Sequence, residues 1–77
     1  MEIKAYINKD NQVEYLVGDS TMEPLALAAF ILLGTKEQII ERFGDNQPTV
    51  VLESDDPRLI KAKKQVDSGF ADVYSKF

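Results

Sequence analysis

The chain has 77 residues, a net charge of −4, and neither cysteine nor histidine. One domain, residues 1–77, is the only sensible count for this length, and the missing cysteines favour a reducing compartment. The start, Met1 to Lys4, lacks the apolar core of a signal peptide. The longest apolar run, Leu25 to Leu33, is about half of the ~20 residues that span a bilayer. We therefore expect a cytoplasmic protein with no membrane partner.

Residues 2–17 have the pattern of a β-hairpin. Apolar residues occupy every second position in two short stretches: Ile3, Ala5 and Ile7, then Val13, Tyr15 and Val17. This period of two is typical of half-buried strands, and the polar residues 9–12 have turn composition. Because a slip of one residue would turn every side chain to the other face, the turn should contain an odd number of residues, three or five.

A strongly apolar helix is predicted next. Gly18 ends the second strand, and Ser20 and Glu23 have the spacing of a capping box, with Asp19 and Thr21 as alternative caps. Pro24 suits a first helical turn, and Gly34 suits the residue just after the helix. Residues 25–33 are all apolar, so this helix has no polar face to turn towards water.

Two more helices and one strand follow. Thr35 and Gln38 are spaced to cap a short helix, Lys36–Phe43. The run at 50–52 within the strand Thr49–Glu53 does not alternate, which indicates apolar cover on both faces.

The last helix is predicted to begin with Asp56 as N-cap and Pro57 in its first turn. Its apolar residues recur at spacings of three and four: Leu59, Ala62, Val66, Phe70, Val73 and Phe77. Gly69 predicts a bend or weak point. The complete order is β-β-α-α-β-α, which predicts an α+β fold: a three-stranded sheet with helices packed on it.

The apolar helix is the main functional signal. Either the sheet and the last helix enclose it, or another protein covers one of its faces. A chain this short has few residues with which to enclose a helix completely. Alanines permit close helix–helix approach, and a homodimer is the simplest symmetric arrangement. The predicted partner interface consists of Leu25, Ala26, Ala29, Phe30 and Leu33.

The last helix also carries a basic cluster. Arg58, Lys61 and Lys64 share one flank, and Arg58 is near the helix N-terminus, where backbone N–H groups favour anions. They are a candidate contact for an anion or an acidic partner; a solvated face is the simpler interpretation. Residues 1–57 hold four bases against eleven acids, which disfavours general nucleic-acid binding.

No catalytic, cofactor or metal site can be assigned. The commonest general base and the thiol nucleophile are both missing, and the sequence contains no phosphate-binding or dinucleotide-binding fingerprint. We therefore expect a non-enzymatic protein–protein interaction module that associates with itself or with a larger partner. Small acidic inhibitors of phages and mobile elements have this size and charge. The alternative is a nucleic-acid-associated regulator that uses the basic flank.

Overall fold

Three strands at the start of the chain form an antiparallel meander. The structure is a computed structural model that describes residues 1–77; its first strands are β1 (Glu2–Ile7), β2 (Val13–Val17) and β3 (Ser20–Met22). Ile7 lies opposite Val13, so five residues separate the first two strands. The side-chain oxygen of Asn8 accepts hydrogen bonds from the backbone N–H groups of Asp10 and Gln12. The predicted hairpin and its odd-numbered turn are confirmed.

The strand β3 is an addition to the predicted three-stranded sheet. Ser20 pairs with Val17 across a two-residue turn, in which Gly18 has a φ of 62°. Glycine at the first central position is typical of the type II′ turn, whose twist matches that of the paired strands. The prediction of Ser20 as a helix cap was wrong, because Ser20 is in the sheet. Glu23 is the N-cap residue, and its side chain makes no capping hydrogen bond.

The fourth strand, β4 (Thr49–Leu52), lies parallel to β1 and completes the order β3-β2-β1-β4. Val50 is buried, whereas Val51 and Leu52 are only half buried. The apolar run predicted that both faces of β4 are covered. This prediction was wrong, because β4 is an edge strand and helices cover only one face of the sheet.

Three helices form the second layer: α1 (Pro24–Leu33), α2 (Lys36–Phe43) and α3 (Pro57–Tyr74). The predicted capping box of α2 is present, with Thr35 and Gln38 each bonding the backbone N–H of the other. Asp56 caps α3 as predicted by accepting a hydrogen bond from the backbone N–H of Arg58. The helix continues through Gly69 without interruption, and the bend or weak point expected there stays a prediction.

The core lies between the sheet and the helices. Its buried helical residues include four from the predicted α3 stripe: Leu59, Ala62, Val66 and Phe70. The ring of Phe43 packs edge-to-face between Phe30, at 5.4 Å, and Phe70, at 4.9 Å. This aromatic column ties α2 to both longer helices. Phe77, predicted as the end of the stripe, lies beyond α3 and is 40% exposed.

Candidate protein-docking surface

The helix α1 meets the rest of the protein on one side only. It packs against α3 and β2, and its inward residues Leu27 and Ile31 are buried. Leu25, Leu32 and Leu33 are 81%, 79% and 82% exposed. This helix, apolar on every side, is therefore not enclosed by its own chain.

The exposed side of α1 is a continuous apolar surface, which we name the leucine face. It contains three leucines and three alanines: Leu25, Ala26, Ala28, Ala29, Leu32 and Leu33. The rotation of about 100° per residue places Ala29 near the centre of this face. No charged or hydrogen-bonding side chain belongs to it, so an apolar partner surface can cover it without burying an unpaired polar side chain.

Four of the five residues predicted for the interface lie on the leucine face. The exception is Phe30, which is half buried and turns its ring towards Phe43. Ala28 and Leu32 belong to the face but are absent from the sequence prediction. These differences have one cause: when every side of a helix is apolar, the pattern does not indicate which side meets the sheet.

An apolar groove of about 190 Å³ follows one flank of the leucine face. Ala28 and Leu32 line it from α1, and Val66 and Gly69 line it from α3. Tyr15, also in the lining, is almost fully buried, and burial raises the pKa of its hydroxyl. The groove is smaller than the roughly 300 Å³ of an ordinary small-molecule site. It therefore extends the apolar surface rather than forming a ligand pocket.

The basic residues predicted to contact an anion differ in their surroundings. The guanidinium of Arg58 lies 2.9 Å from the carboxylate of Asp56 and donates to the backbone carbonyl of Asn11. Hydrogen bonding to Arg58 lowers the pKa of Asp56 below its usual value. Lys61 and Lys64 are exposed and make no ion pair, so they are the two bases of this flank that stay available.

The open edge of β4 is blocked by Lys63. The backbone N–H groups of Thr49 and Glu53 point to β1, so the backbone groups of Val50 point to the open edge. The ammonium of Lys63 donates to the carbonyl of Val50 at 2.8 Å and pairs with Asp67 at 3.0 Å. Edge lysines hinder the addition of a foreign strand, so this edge is a poor docking site.

The molecule brings together no group of three or more side chains from His, Cys, Asp and Glu that is suited to hold a metal ion. None of its helices combines the length and the apolar composition that crossing a membrane requires.

Comparison with known proteins yields no relative. No family model matches the chain, and neither a curated protein nor a solved structure is significantly similar to it.

Proposed function

We propose that this chain is a non-enzymatic protein–protein interaction module that docks through the leucine face. The observation that carries the proposal is the exposure of Leu25, Leu32 and Leu33, each about four-fifths, side by side on one helix. Single exposed leucines are ordinary on protein surfaces. A contiguous apolar patch on a small protein is typical of an interaction site.

The total surface area supports a face that is left uncovered. The chain exposes 5116 Å², which is about 400 Å² more than the ~4,700 Å² expected for a compact monomer of this mass, 8.7 kDa.

The nucleic-acid alternative has weaker support. The charge of Arg58 is compensated by Asp56, and that of Lys63 by Asp67. The two exposed lysines that remain on α3 would neutralise few phosphates, and phosphate neutralisation supplies most of the affinity for nucleic acids.

Photo-crosslinking in the host cell tests the docking proposal. A photoreactive phenylalanine analogue is placed at Leu33 on the leucine face, and a matched control carries it at Leu16, an exposed leucine on the open side of the sheet. We expect an adduct of defined mass from position 33, absent at position 16 and suppressed by Leu32→Glu. Equal labelling from both positions, or no adduct from position 33, would overturn the proposal.

A further inference from the structure

We infer that the outer edge of β3 binds an extended, basic segment of another protein, which adds a fifth strand to the sheet beside α1. This inference rests on the proposed docking function and adds the chemical nature of the partner. It follows from backbone groups along residues 19–23, which we name the β3 edge, and from the acidic side chains at both ends of that edge.

The β3 edge presents backbone groups that have no partner. Asn8 donates to Gln12 across the first hairpin, and the alternation of hydrogen-bonded pairs along β2 means that Leu16 also directs its backbone groups to β1. Thr21 lies opposite Leu16, so its own N–H and C=O groups point away from β2. The N–H of Glu23 also donates to no backbone acceptor. Groups with this spacing fit the backbone of one more extended strand.

The two edges of the sheet differ in their protection. At the β4 edge, Lys63 donates to the carbonyl of Val50, which hinders the addition of a strand. No side chain makes a hydrogen bond to the backbone of residues 19–23. The β3 edge is therefore the edge at which the sheet can be extended.

The helix layer also ends before it covers β3. The helix α3 contacts β4, β1 and β2, whereas α1 contacts β2 and α3, so α1 lies on the β3 side of the layer. Ser20 pairs with the buried Val17, and paired residues point to the same face of a sheet. Ser20 is nevertheless exposed. The space between β3 and the helices is therefore open at this edge.

A fifth strand would place alternate side chains in that space. Ala28 and Leu32 line the groove towards α3, so the rotation of about 100° per residue places Ala26 and Leu33 on the opposite flank of α1. Successive side chains of a strand point to opposite faces. The segment therefore needs apolar residues at every second position, where they lie against this flank of the leucine face.

Acidic side chains determine the charge of the segment. Asp19 and Glu23 are exposed, and neither forms an ion pair. They lie four positions apart, about 13 Å along an extended strand, so Lys or Arg residues with the same spacing can face both of them. Opposite charges across a strand pair are favourable and like charges are unfavourable. The net charge of −4 also attracts a basic segment.

The same charges disfavour a second copy of this chain as the occupant. Antiparallel pairing of two β3 edges about Thr21 would place Asp19 of each copy beside Glu23 of the other. Parallel pairing would place Asp19 beside Asp19 and Glu23 beside Glu23. Like charges that meet across an interface select against the wrong partner. The β3 edge therefore favours a basic strand over its own copy.

Two synthetic peptides test this chemistry. The basic probe is acetyl-Val-Lys-Val-Ser-Val-Lys-Val-amide, and the acidic probe has glutamate in place of both lysines. In NMR titrations of the isotope-labelled chain, we expect the basic probe to bind about fivefold more tightly or more, because two favourable charge contacts replace two unfavourable ones. The largest amide shifts should occur at Thr21 and Glu23. Equal affinities, or no binding of the basic probe at about 5 mM, where even a weak contact is occupied, would overturn the inference.

Charge reversal in the chain supplies the matched comparison. Asp19→Lys combined with Glu23→Lys should reverse the preference between the two probes. Glu41→Lys combined with Asp72→Lys, at exposed acids of α2 and α3, changes the net charge equally and should leave the preference as it is. Equal effects of the two double variants would show attraction by net charge alone and would overturn the β3 edge as the binding site.

The substitution Thr21→Pro tests the strand pairing itself. Proline removes the outward N–H and leaves the pairing of β3 with β2 in place, because proline is tolerated on edge strands. We expect the basic probe to bind about threefold more weakly or more, while the amide signals of β2 keep their positions. An unchanged affinity of a folded variant would contradict strand addition.

Photo-crosslinking in the host cell separates this inference from the docking function. A photoreactive phenylalanine analogue at Ser20 should give an adduct of the same mass as the analogue at Leu33. An adduct of two copies of this chain would overturn the inference. If position 33 labelled another protein while position 20 gave no adduct and the basic probe did not bind, the docking function would stand and the inferred strand addition would be wrong.

Discussion

Gly69 in α3 lies so close to Ile31 in α1 that a β-carbon at position 69 would stand 3.3 Å from Cγ2 of Ile31. Isoleucine is stiff at its β-branch, so this methyl group cannot move aside without rotation of the whole side chain. Because Gly69 has no side chain, α1 can pack this closely on α3. This close packing also determines how the leucine face is presented on the opposite side of α1.

The substitution Gly69→Ala measures this close approach. Alanine is better than glycine in a helix interior by about 1 kcal/mol, and we expect the contact with Ile31 to cancel that gain. The free energy of unfolding from urea titration should stay unchanged or fall by up to about 1 kcal/mol. Ser68→Ala, at the exposed neighbouring position, should gain about 0.5 kcal/mol. A gain of about 1 kcal/mol at position 69 would contradict the packing described.

The substitution Phe70→Ala tests the aromatic column. Phe70 is fully buried, with its ring 4.9 Å from that of Phe43, so its removal should lower the free energy of unfolding by about 3–5 kcal/mol. Phe77→Ala, at a partly exposed aromatic residue outside α3, should cost less than about 1 kcal/mol. Equal losses in urea titrations of the two variants would argue against the docking of α3.

Substitution by glutamine should affect stability differently at positions 30 and 33 of α1. Phe30→Gln removes a ring packed on Phe43 and should cost about 2 kcal/mol or more. Leu33→Gln changes a residue that is 82% exposed and should alter stability by less than about 0.5 kcal/mol. Chemical denaturation of the two variants makes this comparison. A larger loss at position 33 would show that its side chain is packed within the monomer.

The ion pair of Asp56 and Arg58 predicts a dependence of stability on pH. Arg58 lowers the pKa of Asp56 in the folded protein, so the carboxylate contributes stability above its unfolded pKa of about 3.9. That contribution is lost as the pH falls through the folded pKa. Asp56→Asn keeps an N-cap acceptor but removes the charge. We expect the urea midpoint of this variant to fall less than that of the unmodified chain between pH 7 and pH 3. Identical profiles would exclude a role for the pair.

Replacement of Lys63, which shields the edge of β4, should promote aggregation. Lys63→Met keeps most of the side-chain stem but leaves the carbonyl of Val50 without its hydrogen-bond donor. We expect a loss of about 1 kcal/mol, and faster aggregation by light scattering during incubation, because the edge becomes available to other strands. Lys64→Met, at the exposed adjacent lysine, is the control. If both variants stayed equally soluble and stable, Lys63 would have no protective role.

Much of the fold could be predicted because its signals are local. The alternation around Ile7 and Val13 restricted the hairpin to turns of three or five residues, of which the structure has five. Asp56 marked the start of α3 through a hydrogen bond to a residue two positions away. The strand β3 was missed because it is only three residues long and Ser20 also suited a helix cap. The Gly18-Asp19 pair, a hairpin turn signal, was the available evidence for it.

The candidate site was predictable in kind but not in orientation. A helix without a polar residue indicated an uncovered face. Which of its residues are exposed, Leu32 rather than Phe30, depended on where α2 and α3 pack. The partner of Arg58 was also beyond local reasoning, because its second contact, Asn11, comes from the turn between β1 and β2. Contacts between residues far apart in sequence leave no periodic pattern to detect.

The sheet contains one pairing that the chain completes late. Ile3 pairs with Val17 on one side and with Val50 on the other. The first pairing closes a short loop, whereas the second spans most of the chain, and such distant contacts form more slowly. During translation, β1 therefore has one vacant side until β4 leaves the ribosome, and the lysine that shields β4 is synthesised later still. A chain that forms its hairpin before β4 is available would therefore expose this edge of β1 to strands of other molecules.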